Sequence, residues 1–492
     1  MLCPQSRQNC AQSSHSLISL FLVICAFLTS CIGGSHVPSE AELSEFGNYV
    51  NEMDSSLKGS WFTRMGVSPD ADSMLVYLRR ELPRHGLDSS AFFIQEIASD
   101  LQIVRSLAFD SVALSINDIL PRLDRNLSKA FVCYTTGQRY GFMNPEAAFN
   151  KLSYKSSGDG YARLFDYEVK SADSTESVQK MGIEGSRMAY LMESYPKSSV
   201  YLALQKELVK TTDSAARHKL AVNMERCRWQ IKQPGESEKM VLVNIPALQL
   251  WAVGGDSVLP MRICCGAVST KTPLLHSEIS YVQVNPEWVI PHNIVRSEVA
   301  HHGGDSSYFA RHRYYIIQRS TGDTLSASNV TSGQLASGNY RVAQRGGVGN
   351  SLGRIVFRFP NNFSVYLHDT SNRGAFNSDH RTLSHGCVRV QKPFDLACFL
   401  MPEMDAWQRD QLRISMDIPP QTEQGRNYLH THANAPRPFR LMTFRYVEPK
   451  VPLYIIYYTA YPTPGTGVVE TWPDLYGYDK VITRATEPYL LK

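Results

Sequence analysis

Residues 363–390 read FSVYLHDTSNRGAFNSDHRTLSHGCVRV. Phe363 to Leu367 alternates apolar and polar residues as a short strand does, which puts His368 at a strand's end, where a rigid element hands over to a loop. Nineteen residues later stands Cys387, preceded by Ser384, His385 and Gly386 and followed by the β-favouring Val388, Arg389 and Val390. A free thiol titrates near 8.5, so a nucleophilic cysteine needs a base or a positive field beside it. His368 and His385 are both candidate bases. If residues 385–389 are extended, His385, Cys387 and Arg389 project on one face, since side chains alternate with period two. Arg389 then either lowers the thiol pKa or holds a substrate carboxylate, and His385 shapes the pocket. The N–H groups of Gly386 and Cys387 are candidate oxyanion donors. These residues point to covalent acyl transfer by a cysteine. Taken singly, Cys387 also reads as a small buried hydrophobe and His368 as a satisfied strand-end histidine.

A histidine, fifteen intervening residues from Asp369 to Leu383, and then SHGC with an apolar residue and Arg resembles the signature of the YkuD-type L,D-transpeptidases. VLVNIPALQLWAV, KTPLLHSEISYVQVNPEWVIP, NSLGRIVFRFPNNFSVYLHDT and the late VPLYIIYYTAY are similar to the large, scaffold-bearing, YcbB-like branch of that family. The resemblance covers most of Val241 to Asp479. It implies an α+β protein in which a helical scaffold precedes a mainly β catalytic domain with an inserted capping subdomain. It implies that Cys387 attacks the third residue of a peptidoglycan stem tetrapeptide, expelling D-Ala, with His368 as base. An amine resolving the thioester then makes a 3→3 cross-link, whereas water makes the enzyme an L,D-carboxypeptidase. No cofactor is implied, and sensitivity to carbapenems is. Ser384, Gly386, His385, Arg389 and Asp369 become supporting residues, with Tyr366 and Arg381 as substrate-pocket candidates. Asp369 stands where some relatives place a hydroxyl that orients the imidazole, and Arg389 where many have Asn. A non-enzymatic envelope scaffold is the competing class, and the presence of both Cys387 and His368 argues against it.

Residues 1–30 read as a targeting leader, because the apolar Leu17–Leu28 is about a dozen residues long and a spanning helix needs roughly 20. Leu28, Thr29, Ser30 and Cys31 resemble a bacterial lipobox with Cys31 as the lipidated residue; an ordinary cleavage site with a chance cysteine is the alternative. Either way the expected location is the periplasm, with membrane attachment through lipid only. The chain is 43% hydrophobic and 20% charged, ordinary for a globular protein, and a net charge of +4 gives no case for nucleic acid. Cys133, Cys227, Cys264, Cys265, Cys387 and Cys398 remain after the leader and Cys31. A working Cys387 must stay free, and the adjacent Cys264 and Cys265 read as small buried residues of a strand.

Residues 37–228 read as helical. Ser68, Pro69 and Asp70 form an N-cap, a first-turn proline and a first-turn acid. Ile94, Ile97, Leu101, Val104 and Ala108 recur at helical steps, and Ser199–Val209 and His218–Trp229 add two more segments. Lys151–Lys180, polar and Ser/Gly-rich, reads as loop, and no glycan-binding three-helix module is evident. A linker with Pro234 and Gly235 leads to the β-rich half, 238–484. There Met240–Val253, Leu259–Val268, Ile279–Val284, Arg354–Phe359 and Phe363–Leu367 read as strands, punctuated by Gly254-Gly255-Asp256 and Pro360-Asn361-Asn362. The polar insert at about 286–349 is too long for a bare connection. By resemblance it caps the site. His301, His302, His312, His430 and His432 show no recognised metal-ligand spacing, and no metal is expected.

Overall fold

The computed structural model describes residues 61–63, 66–106, 116–151, 164–170, 172–183, 185–232 and 239–492. The leader, Cys31, Ala108 and the Pro234–Gly235 linker lie outside them. The chain divides into two compact units, one of residues 1–233 with 458–492 and the other of residues 234–457.

In the first unit α1 spans Pro69–Glu81, and the Ser68 hydroxyl accepts the Asp70 N–H at 3.3 Å, as the cap signal predicts. Helix α2 spans Ile94–Ser106 and buries Ile94, Ile97 and Leu101. The 25-residue α3, Ile116–Tyr140, lies within the range read as helical, although no periodic segment marks it there. Helix α4, Thr175–Gly182, lies partly in the stretch expected to be loop. It is held by Ser177, whose hydroxyl meets Thr135 at 2.9 Å and Tyr190 at 3.3 Å, so its anchor is a buried polar contact that apolar periodicity does not register. Helices α5, Ser199–Lys210, and α6, Ser214–Arg228, follow as expected. On α6, Glu225 and Arg228 are wholly buried and paired at 3.3 Å; Glu225 also accepts the Phe142 N–H at 2.7 Å and Arg228 donates to the His85 carbonyl at 2.7 Å.

The β-rich half ends before 484. From Tyr458 the chain belongs to the first unit, where Asn223 Oδ1 accepts the Thr459 N–H at 2.9 Å, Asn223 Nδ2 donates to the Thr459 hydroxyl at 2.8 Å, and Arg226 pairs with Asp479 at 2.6 Å.

The second unit opens with β1, Met240–Asn244, and β2, Gln249–Gly254, a hairpin where one apolar run had been read. Then come β3, Ser257–Gly266, and β4, Leu274–Val284. The insert supplies β5, Trp288–Val289; β6, Tyr314–Gln318; β7, Thr324–Leu325; and β8, Tyr340–Gln344, which pair in the order β7-β6-β8-β5. It has its own core, including Ile290, Val295, Val299, Phe309, Ile316 and Val342, so it is a folded subdomain and not a surface excursion. Next are β9, Ile355–Arg358; β10, Leu367–His368; β11, Thr382–Ser384; and β12, Val388–Val390. Helices α7, Pro393–Leu400; α8, Ala406–Ser415; and α9, Glu423–Thr431, unforeseen in a half read as β, precede β13, Phe444–Ile456.

Eight of these strands close on themselves in the order β9-β10-β12-β3-β2-β1-β13-β4, with β4 pairing back to β9. Following the register, Phe357, Leu367, Val388, Val390, Ile263, Met261, Leu250, Val243 and Ile455 share one face, and all are buried. The opposite face near β10 and β12 carries His368, Arg389 and Arg358. Closure removes free edges and fixes both faces at once, because a one-residue slip would turn the buried set outward.

Gly266 ends β3 where β11 pairs to it, and a Cβ there would stand 2.1 Å from the Thr270 carbonyl oxygen. Gly266→Ala is therefore expected to destabilise the protein by about 1–3 kcal/mol and to alter the rate at which Cys387 is alkylated, measured by denaturant midpoint and thiol labelling; wild-type values for both would refute the close-approach account.

Candidate active site

Two short strands bring the predicted residues together. In the parallel pair β10/β12, Leu367 aligns with Val388 and His368 with Arg389, and the Val388 N–H donates to the Tyr366 carbonyl at 3.0 Å. Cys387 immediately precedes β12, so the thiol and the imidazole rise from neighbouring strand ends. Strand β10 is shorter than the sequence suggests. Asn361 takes the backbone partners a strand would have used: its Oδ1 accepts the N–H groups of Phe363 and Val365 at 3.0 and 3.1 Å, and its Nδ2 donates to the Phe359 and Val365 carbonyls at 3.0 and 2.9 Å. The resulting turn, with Ser364 at φ +55°, points the Ser364 carbonyl at the Cys387 Sγ, 3.8 Å away.

Residues 385–389 are not one extended strand. The chain bends at His385 and Gly386, and Gly386 has φ +112°, a conformation open to glycine and strained for other residues. The bend is fastened to the β3–β4 connection. Thr272 Oγ1 accepts the Gly266 N–H and donates to the Gly386 carbonyl, both at 2.9 Å, while Thr270 Oγ1 donates to the Ser384 carbonyl at 2.8 Å. Ser384 Oγ donates to the Cys387 carbonyl and accepts the Gly386 N–H at 3.2 Å. Ser384 is thus a brace of the turn. Of the two expected oxyanion donors, the Gly386 N–H is already taken, and the Cys387 N–H has no protein acceptor among the described residues.

His368 is buried, and its Nδ1 lies 2.5 Å from the Asp369 carbonyl. The backbone of Asp369, not its side chain, therefore orients the ring. The Asp369 carboxylate faces elsewhere, accepting the Arg354 N–H at 2.9 Å and Arg373 at 3.0 Å. Arg381 is likewise not a pocket residue: its guanidinium donates to the Ile263 and Ser378 carbonyls at 3.1 and 2.6 Å, which clamps the chain entering β11. His385 points outward to Glu298 of the insert, 2.9 Å away. Tyr366 is half-buried beneath Arg358, whose guanidinium lies 4.1 Å from the ring centroid. Asn361, Thr272, Glu298 and Arg358 are contributors that no local sequence signal marks, apart from the turn signal at Asn361.

Burial holds the His368 imidazole down to about 4, and the positive charges of Arg389 and Arg358 act in the same direction against the carbonyls of Asp369 and Leu352. Burial also pushes the Cys387 thiol up, although the Tyr366 N–H and the charges of Arg358 and Arg389 favour the thiolate. At neutral pH the resting pair is therefore a neutral thiol and a neutral imidazole. No hydrogen bond joins them; the thiol must turn from the Ser364 carbonyl toward the ring for proton transfer, a tightening that substrate commonly brings. The Nε atoms of Arg358 and Arg389 are buried without partners, so this face holds unsatisfied cationic donors suited to an anion. Cys264, opposite Arg389 in the register, is buried with Ala375 and Phe376, and none of the six described cysteines is in a disulfide.

A raised thiol pKa means thiolate accumulates only as pH rises. Iodoacetamide alkylation of Cys387 in the substrate-free protein should climb continuously to above pH 9 with no plateau between pH 4 and 7; such a plateau would reveal a resting thiolate–imidazolium pair instead.

Residues 238–405, which hold both Cys387 and His368, match the L,D-transpeptidase catalytic domain family, YkuD. Residues 57–208 match the scaffold domain family. The chain is also 30% identical over 276 residues to a Haemophilus influenzae protein whose L,D-transpeptidase name is itself provisional, a match covering 56% of this chain. The matched part is 50% of that relative's length.

Proposed function

We propose that this chain, which carries a YkuD-type L,D-transpeptidase catalytic domain together with a scaffold domain in the YcbB-like arrangement, forms 3→3 cross-links in peptidoglycan through a thioester on Cys387. The observation that carries the reading is the β10/β12 register, which sets the Cys387 turn beside the buried His368 on a face with two arginines whose Nε atoms are unpaired. Cys387 Sγ attacks the carbonyl of the third stem residue while its proton passes to His368. The oxyanion forms against the Cys387 N–H. Collapse expels D-Ala, and His368 returns the proton to the leaving amine. Arg358 and Arg389 receive a stem carboxylate, and the bound anion offsets their charge at His368, raising the affinity of the ring for the proton it must take. An amine on a second stem, or water, resolves the thioester. Carbapenems acylate the same thiol.

Intact-mass analysis with a disaccharide tetrapeptide, alone and with excess acceptor stem, tests this. A thioester on Cys387 that resolves into a dimer lacking one D-Ala is the expected result. Release of tripeptide alone would make the protein a carboxypeptidase, and no adduct would sink both enzymatic readings. Cys387→Ala should abolish the adduct with the fold retained, and His368→Ala should slow acylation by about 10²-fold or more, far beyond His385→Ala.

Export with lipid attachment at Cys31 belongs to the same proposal. In cells Cys31→Ala should move the protein from the membrane to the soluble fraction; unchanged partitioning would remove the anchor from the account.

A further inference from the structure

The insert touches the SHGC turn through one ion pair, Glu298 Oε1 to His385 Nε2 at 2.9 Å, with the side chains 53% and 48% exposed. An ion pair this exposed contributes little to stability, so its chemistry is the point of interest. Glu298 lies in the π-helical turn Val295–Val299, a backbone form frequent at functional sites. Val295 and Val299 are buried in the core of the insert, whereas Glu298 is presented toward the turn.

The same insert carries a cluster of aromatic rings. Tyr308 stacks on His302 with centroids 3.7 Å apart and lies 4.2 Å from His312, while Tyr314 stands edge-on to it at 6.0 Å. Burial raises the phenols of Tyr308 and Tyr314, the latter to about 12, and the negative charge of Glu298 adds to both. An exposed carboxylate is the chemistry that pairs with an organic ammonium.

His385 is separated from Cys387 by Gly386 alone, so their Cα atoms are at most about 7 Å apart. With Nε2 engaged by Glu298, Nδ1 has no partner among the described residues. A carboxylate holding one ring nitrogen as N–H leaves the other as the lone-pair base.

We infer that Glu298 and His385 form the acceptor site, where a primary ammonium binds and loses a proton before attacking the thioester on Cys387. The inference rests on the acyl-enzyme reading above. The ammonium gives one proton to His385 Nδ1. Its freed lone pair forms the new C–N bond at the thioester carbonyl, the C–S bond breaks with its electron pair going to Cys387 Sγ, and the second amine proton passes to that sulfur, restoring the thiol. Water resolving the same thioester does not use the cation site.

The test is partition of the acyl-enzyme between water and a peptide acceptor bearing a side-chain amine, followed by product ratio in wild type, Glu298→Gln, Glu298→Asp and His385→Gln. In Glu298→Gln and His385→Gln the ratio of amine-derived to water-derived product should fall by at least about tenfold. The half-saturating acceptor concentration should rise in Glu298→Gln, and Glu298→Asp should recover part of the loss. An unchanged ratio overturns the inference. An equal fall of both products, acylation included, also overturns it, because it would mean the pair only supports the turn. Failure of the wild type to form any acyl-enzyme would take down the functional reading itself.

Discussion

Two aligned residue pairs, Leu367 with Val388 and His368 with Arg389, hold the candidate site together. Parallel strands need long connections, and here the connection is the whole segment from Asp369 to Cys387. So short a contact cannot fix its own register. It is set by its neighbours: β9 on one side and β3 on the other, both antiparallel, which complete a closed sheet whose buried face includes Leu367 and Val388. Once those two side chains are inside, His368 and Arg389 must be on the other face. The chemistry of the site is thus a consequence of where the core is.

The turns at either end of that contact are defined by side chains that capture backbone groups. Asn361 replaces ladder hydrogen bonds before β10, and Ser384, Thr270 and Thr272 fasten the bend before β12. Rigid supports of this kind are what hold reacting groups in register. The same satisfaction is missing where a ligand would sit: the Cys387 N–H and the Nε atoms of Arg358 and Arg389 lack partners among the described residues. The contrast with the first unit is instructive, since the buried Arg228 there meets Gln138, Glu225, Tyr201 and the His85 carbonyl and has nothing to offer a ligand.

Burial dominates the electrostatics of the proposed reaction. It disfavours both the thiolate of Cys387 and the imidazolium of His368, and Arg358 and Arg389 help the first while opposing the second. A site so arranged rests uncharged at neutral pH, with its positive field reserved for an incoming anion. The insert, with its own sheet and core, brings an acid to the rim beside His385. In the proposed reaction, anion recognition and ammonium recognition then fall to different elements, which is the division a two-substrate transfer requires.

The residues alone were enough to single out His368 and Cys387 as candidates, and to find the helices beginning at Pro69, Ile94 and Ser199 and the separation of a helical from a β-rich half, because caps, periodicity and motif spacing are local properties of a chain. They were not enough for α4, which is anchored by buried hydroxyls, or for α7 to α9, which follow the site in a half read as β. They also run the β-rich half on to 484, whereas the chain from Tyr458 belongs to the first unit, and they offer Arg381 as a substrate-pocket candidate, whereas its guanidinium is taken by carbonyls. Only the tertiary structure decided which face His368 occupies, that the Asp369 carbonyl and not its carboxylate orients the ring, and that His385 meets Glu298. Each of these depends on register across a closed sheet or on contact between segments far apart in sequence, and no local pattern of residues encodes either.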